Sequence, residues 1–268
     1  MSDILEEIVV HKRQEVEEFK KFVTPVNLYN MVEQRMPEIE KYAGPATSMR
    51  RALMESKTGI ISEFKRKSPS KGWIHRDAKP AEVTIAYQNN GASALSVLTD
   101  MEYFGGDDEF IRQARAVGVT IPILYKNFIV DEYQLFQARL CGASAVLLIA
   151  ADLKKEECRT LLHTAHELGL EVLLEMHRKQ DFDYVDLEPD MYGINNRHLG
   201  TFHTDVKNSF KLVKHLPVQG CKISESGIQD AGTVRRLREI GFNGFLMGEC
   251  FMKEADPGRA LGDFIAQC

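Results

Sequence analysis

The amino-acid sequence predicts an α/β protein, a (β/α)8 TIM barrel with an N-terminal helical extension, and three observations lead there. Short apolar runs recur eight times between Ile60 and Glu249, about 20 to 35 residues apart. Amphipathic segments of helical period lie between most of them, so strand and helix alternate, which implies parallel strands joined by right-handed crossovers. No run is followed by the G-x-G-x-x-G turn of an open, doubly wound dinucleotide-binding sheet, the main structural alternative. Eight similar units within roughly 210 residues close more simply on themselves.

Taken in order, residues 1–47 form the helical extension. Leu5, Ile8, Val9, Val16, Phe19 and Val23 keep a three-or-four spacing among many charges, the pattern of a helix with one buried face. A second short helix is expected through "NLYNMVEQRM", ending before Pro37. The expected strands are "IISEFK" (60–65), "ALSVLT" (94–99), "PILYKN" (122–127), "AVLLIA" (145–150), "EVLLEM" (171–176), "MYGINN" (191–196), "CKISES" (221–226) and "GFLMGE" (244–249). Segments such as "DEYQLFQARLCGA", "KKEECRTLLHTAHELGL" and "AGTVRRLREIGF" are the helices between them. With no linker or low-complexity tract, residues 1–268 are expected to be a single domain.

The first run raises a question of chemistry, because it carries Glu63 and Lys65 where a sheet interior is normally apolar. In a barrel, alternate side chains point inward and the carboxyl ends of the strands build the active site. Glu63 and Lys65 are two apart and share a face with Ile61. Lys126, Glu175, Asn195, Arg197 and Ser226 stand at the ends of four further runs. A lone Lys or Glu at such a position is usually a solvated rim residue or half of an ion pair. Several around one opening must pair or bind a charged ligand, because an uncompensated buried ion costs several kcal/mol. Gly227 and Gly248 follow the last two runs, where barrels commonly hold phosphate on backbone N–H groups.

Composition excludes several classes. The chain has 268 residues, 44% of them hydrophobic and 27% charged, with a formal net charge of −5, which is not the strong positive field of a nucleic-acid binder. No apolar run approaches the roughly 18 residues of a membrane span, so no membrane association is expected and the location is read as cytoplasmic. Five cysteines without C-x-x-C spacing argue against both a disulfide framework and a zinc site. His177 and His198 are too isolated to suggest a metal, and none is expected.

The stretches "ISEFKRKSPSKG", "SVLTDMEYFGG", "PILYKNFIVDEYQ", "GASAVLLI", "LLEMH", "GINNRHLGTF", "ISESGI" and "FLMGECFM" run in this order over nearly the whole chain. They closely resemble the indole-3-glycerol phosphate synthase family, the first, third and sixth most specifically. The resemblance implies a (β/α)8 barrel with an N-terminal extension beside its catalytic mouth. It also implies a small phosphorylated substrate, 1-(2-carboxyphenylamino)-1-deoxyribulose 5-phosphate, closed to an indole with loss of carbon dioxide and water in tryptophan biosynthesis. By that resemblance Lys126 is the general acid at the ketone oxygen and Glu175 serves proton removal and dehydration. Lys65 or Lys126 is the acid of the dehydration step, and Lys65 is also placed to hold the substrate carboxylate. Glu63 and Asn195 position catalytic groups or the forming hydroxyl, and Arg197 orients the glutamates. Ser226, Gly227, Gly248 and the backbone of Glu249 hold the phosphate. Phe104 and Phe128 wall the anthranilate ring, and Ser68 belongs to the basic loop over the substrate. No cofactor is expected, because ring closure itself makes a cationic centre beside the departing carboxylate. A monomer or weak homo-oligomer is expected.

Departures are few. Glu249 stands where many members have Ser, so its side chain is expected to turn from the phosphate; Asn196 and His198 fall at variable positions. The competing readings are a phosphosugar isomerase or Schiff-base aldolase with Lys126 as nucleophile, and a non-catalytic phospho-ligand sensor, which would be expected to lack one or more acid–base residues.

Overall fold

The computed structural model describes residues 4–198 and 203–268, so the end of the "GINNRHLGTF" stretch and the first three residues lie outside the described residues. Eight parallel strands form a closed barrel: β1 (Ile60–Phe64), β2 (Ala94–Leu98), β3 (Ile123–Lys126), β4 (Ala145–Ile149), β5 (Glu171–Met176), β6 (Met191–Asn195), β7 (Cys221–Glu225) and β8 (Gly244–Met247). Each strand pairs with its sequence neighbours, and β8 returns to β1 in the register Ile60 to Phe245 and Ile61 to Leu246. All eight expected strands are present, and most end one or two residues earlier than the apolar runs.

Closure divides the side chains into two layers. Ile61, Ala94, Leu124, Leu147, Leu173, Met191, Ile223 and Leu246 fill the interior, while Ile60, Val97, Tyr125, Leu148, Leu174, Ile194 and Phe245 face the surrounding helices. The strict period of two makes each strand's last inward residue predictable from the ones before it. Met49 and Leu53 of the short helix Met49–Glu55 close the interior at the end opposite the mouth. Aspartates start several of the outer helices: Asp131 accepts from the Tyr133 N–H, Asp230 from Thr233 and Asp256 from Arg259.

The extension comprises α1 (Ile4–Phe22) and α2 (Pro25–Ile39). α2 runs through Pro37 instead of stopping before it. Pro37 sits in the last turn, where its missing N–H forfeits one exposed backbone bond, and buried Ile39 rewards the extra half-turn. Val16, Leu28, Val32 and Ile39 pack on Tyr133 and Leu140 of the helix Glu132–Cys141, and Arg139 Nη1 donates to the Ile39 carbonyl at 2.7 Å. The buried stripe of α1 is Leu5, Ile8, Lys12 and Val16; Phe19, expected inside it, is 40% exposed. Lys12 is buried because its ammonium meets Asp100 at 2.8 Å and also Glu15, and Asp100 caps the helix Met101–Phe104 through the Tyr103 N–H. This ion pair ties α1 to the loop that carries Phe104.

All five cysteines are free, and burial pushes Cys158, Cys221 and Cys250 up to about 12, so these three are packing residues. No described helix is long and apolar enough to cross a membrane.

Candidate active site

The carboxyl ends of the strands surround a cavity of about 580 Å³, sized for a small organic ligand. Its floor is the last inward layer of the barrel: Glu63, Leu98, Lys126, Ile149, Glu175, Asn195, Glu225 and Gly248, one from each strand or the residue just beyond it. The roof is α1, through Ile4, Leu5 and Ile8, with Pro69, Ser70 and Lys71 of the loop after β1. Phe104 and Phe128 form one apolar wall, their ring centroids 6.1 Å apart.

Lys126 sits among carboxylates, 3.4 Å from Glu175 Oε2 and 4.0 Å from Glu225 Oε2. Burial alone would lower its basicity; Glu175, Glu225 and Glu63 outweigh burial and hold the ammonium above the ordinary lysine value. Glu63, 4% exposed, pairs with Lys65. Burial pulls Glu63 upward, but Lys65, Lys126 and Arg197 bring it below the usual carboxylate range.

Glu175 and Glu225 form the informative pair. Burial opposes the charge of Glu175, yet Lys126, His177 and Asn195 hold it well below the usual range. The His177 Nε2 lies 2.8 Å from Glu175 Oε1. Asn195 Oδ1 accepts from the Arg197 N–H at 3.0 Å, which leaves its amide nitrogen to donate to Glu175. Glu225 goes the other way. Neither of its oxygens accepts a hydrogen bond among the described residues, and burial, then the charge of Glu175, raise it well above the usual range. The surroundings thus favour the ionised form of Glu175 on β5 and the neutral form of Glu225 on β7, with β6 between them, the division of labour that acid–base chemistry needs.

Glu225 was not among the residues expected at the mouth; the strand end was assigned to Ser226. The signal was present in the alternation, since Cys221 and Ile223 point inward and Glu225 follows in step. Its space comes from Gly193 on β6, where a Cβ would lie 2.4 Å from Glu225 Oε1. Gly193→Ala is therefore expected to displace Glu225 and lower kcat on the order of tenfold, with the barrel folded by circular dichroism. A wild-type kcat in that variant would show that the position of Glu225 is immaterial. Gly248 has a matching reason, because a Cβ there would meet Glu63 Cβ at 2.8 Å.

Two other expected residues take different places. Ser68 lies buried in a two-residue hairpin, and its neighbours Pro69, Ser70 and Lys71 line the cavity instead. Arg197 does not reach the Glu175 carboxylate: Nη1 donates to Ser70 Oγ at 3.3 Å and Nη2 is 4.0 Å from Glu249, and of the glutamates in the barrel floor it acts electrostatically on Glu63. The Glu249 carboxylate is taken by Lys71 across the mouth. Ser226 and Gly227 both have positive φ, 67° and 78°, directly after β7. A left-handed conformation at a serine is a strain usually found at functional turns.

A family profile described as Indole-3-glycerol phosphate synthase matches residues 5–264. An indole-3-glycerol phosphate synthase of Bacteroides thetaiotaomicron is 53% identical over 99% of this chain and 98% of its own, and one of Laribacter hongkongensis is 41% identical over 99% and 100%. Among solved structures, the tryptophan synthase alpha subunit of Legionella pneumophila superposes with a TM-score of 0.59 at 13% identity, covering 82% of this chain and 95% of that one. The 3-hexulose-6-phosphate synthase of Salmonella typhimurium does so at 0.59 and 12%, covering 78% and 99%. At such identities these two speak for the barrel alone. The full-length match of the profile and of close relatives, on a barrel whose mouth gathers two lysines, three glutamates and an asparagine, leads to one assignment: the chain belongs to the indole-3-glycerol phosphate synthase family.

Proposed function

We infer that this chain closes the ring of 1-(2-carboxyphenylamino)-1-deoxyribulose 5-phosphate to indole-3-glycerol phosphate, as a carboxy-lyase of tryptophan biosynthesis, with the residues gathered at the mouth. The observation that carries the reading is Lys126 at the floor of the mouth, its ammonium 3.4 Å from the Glu175 carboxyl and 4.0 Å from that of Glu225.

The anthranilate ring lies against Phe104 and Phe128, and Lys65 faces its carboxylate. As the ring carbon attacks the ketone, Lys126 gives its proton to the oxygen that becomes a hydroxyl. The new cationic centre takes up the electron pair of the breaking carbon–carbon bond, and carbon dioxide leaves. Glu175 then removes the adjacent carbon-bound proton, and the hydroxyl departs as water with a proton from one of the two lysines. Glu63 holds Lys65 in place, and Asn195 holds Glu175. The N–H groups of Ser226, Gly227, Gly248 and Glu249 receive the phosphate, a role supported by the left-handed turn at Ser226 and Gly227.

The same electrostatics weigh against a Schiff-base aldolase. A nucleophilic lysine must be an unprotonated amine, and three glutamates around Lys126 oppose that state. Borohydride with a ketose phosphate is expected to leave Lys126 unmodified.

In this reading residues 1–268 act as one domain, because α1 lends Leu5 and Ile8 to the mouth. The enzyme works in the cytoplasm as a monomer or weak homo-oligomer. The direct test is to add the substrate and follow indole absorbance and fluorescence; no product at micromolar enzyme would overturn the reading. The dephospho-substrate is expected to turn over about tenfold more slowly even at saturation, since binding energy from a remote anion holds the reacting atoms together. Equal kcat for both substrates would remove the phosphate from the mechanism.

A further inference from the structure

We infer that His177 is a positioning residue for Glu175, holding the carboxylate through Nε2 while the opposite ring nitrogen is anchored on the backbone beyond β6. The inference rests on Glu175 being the group that accepts the proton in the closing steps.

His177 follows β5 two residues after Glu175, so the two side chains leave the same face. Nε2 lies 2.8 Å from Glu175 Oε1, and Nδ1 lies 3.2 Å from the Arg197 carbonyl oxygen. The shorter contact is with the Glu175 carboxylate, an acceptor, so Nε2 is the nitrogen that donates its N–H there. The side chain is only 8% exposed, which keeps water from replacing these contacts. The main chain beneath it is clamped as well: Asp181 Oδ2 accepts from the His177 N–H at 2.8 Å and from the Arg178 N–H at 3.1 Å.

The contacts form a circuit. Glu175 meets His177, His177 meets the carbonyl of Arg197, the N–H of Arg197 meets Asn195, and Asn195 returns to Glu175. The ends of β5 and β6 are thereby locked around one carboxylate. With Oε1 occupied by His177, Oε2 is turned toward Lys126. Without the imidazole the carboxylate is free to rotate away, and its charged form loses a donor.

Two amides separate the two ring contacts. His177→Asn puts its amide near the Nδ1 position and falls short of Glu175; His177→Gln reaches the Nε2 position and restores the donor. We expect His177→Asn to lower kcat about tenfold with KM little changed, the cost of one charge-assisted hydrogen bond, and His177→Gln to stay within about threefold of wild type. The acid limb of kcat/KM should move to higher pH in His177→Asn, because losing a donor disfavours the ionised carboxylate, and return in His177→Gln. Lys126 from β3, Asn195 from β6 and Glu225 from β7 face Glu175 in every variant, and Glu63 from β1 stands behind Lys126, so the shift isolates His177. Rates are taken per folded molecule, and His177→Leu replaces the Asn variant should that one fail to fold. An unmoved acid limb with wild-type kcat, or equal damage from Asn and Gln, would overturn the inference. Absence of indole product from the wild-type enzyme would instead overturn the assignment of the reaction.

Discussion

Lys126→Met is expected to lower kcat by at least about 10²-fold while the barrel stays folded, the lower range for losing a general acid. Methionine keeps the length and apolar stem of lysine, so the packing around the end of β3 survives. The ammonium is what disappears. It is the group 3.4 Å from Glu175 and 4.0 Å from Glu225, and two of the glutamates, Glu63 and Glu175, keep their charge against burial partly because of it. Without it those two take up protons more readily, so the variant should also lose activity at higher pH on its acid side. Lys126→Arg sharpens the test. It restores the positive charge but holds its proton too tightly to give it away, so it should bind substrate and remain slow. Near-normal turnover in the methionine variant would remove Lys126 from the mechanism, and near-normal turnover in the arginine variant would reduce its part to charge alone.

The architecture was readable because a closed barrel repeats one simple rule eight times. Buried strands of four to six residues leave continuous apolar runs, and the charged residue closing a run marks the mouth. Glu63, Lys65, Lys126, Glu175 and Asn195 came out together for that reason, and the structure brings all five to one cavity. What escaped depends on distances across the barrel. Glu225 follows its strand's inward alternation, but only the missing side chain at Gly193 explains how a third glutamate fits. His177 looked isolated because its partner on the far side is a carbonyl, which has no signature in sequence. Arg197 shares the inward face with Asn195, but a long side chain can reach any of several acceptors, and it chose Ser70 on the facing loop. Pro37 misled because the rule against proline in helices weakens in a last turn exposed to water.

Glu175→Gln is the companion to the lysine change, expected to lower kcat by about 10²- to 10⁴-fold with little change in KM. Glutamine fills the same volume at a position that is 2% exposed, and its single carbonyl keeps one of the two acceptor contacts, since His177 and Lys126 meet different oxygens of the carboxylate. Fold and substrate binding are therefore retained, and the proton acceptor is lost. Glu225→Gln supplies the contrast. Burial, then the charge of Glu175, favours the uncharged form of that carboxyl, so an amide there mimics the favoured form and should weaken neither folding nor binding appreciably. The sign of its pH effect follows. In the wild type, raising the pH eventually removes the Glu225 proton and sets a second negative charge beside Glu175, so an alkaline limb of kcat is expected, and Glu225→Gln should abolish the share that Glu225 contributes. Glu175, held low by Lys126, His177 and Asn195, should by contrast govern only the acid limb. Steady-state kinetics across pH on both variants, normalised to folded protein, checks these expectations together. If Glu175→Gln turned over within about threefold of wild type, or lost activity only in step with lost folding, Glu175 would be a structural counter-ion of Lys126, and the proton would have to leave the substrate by another group.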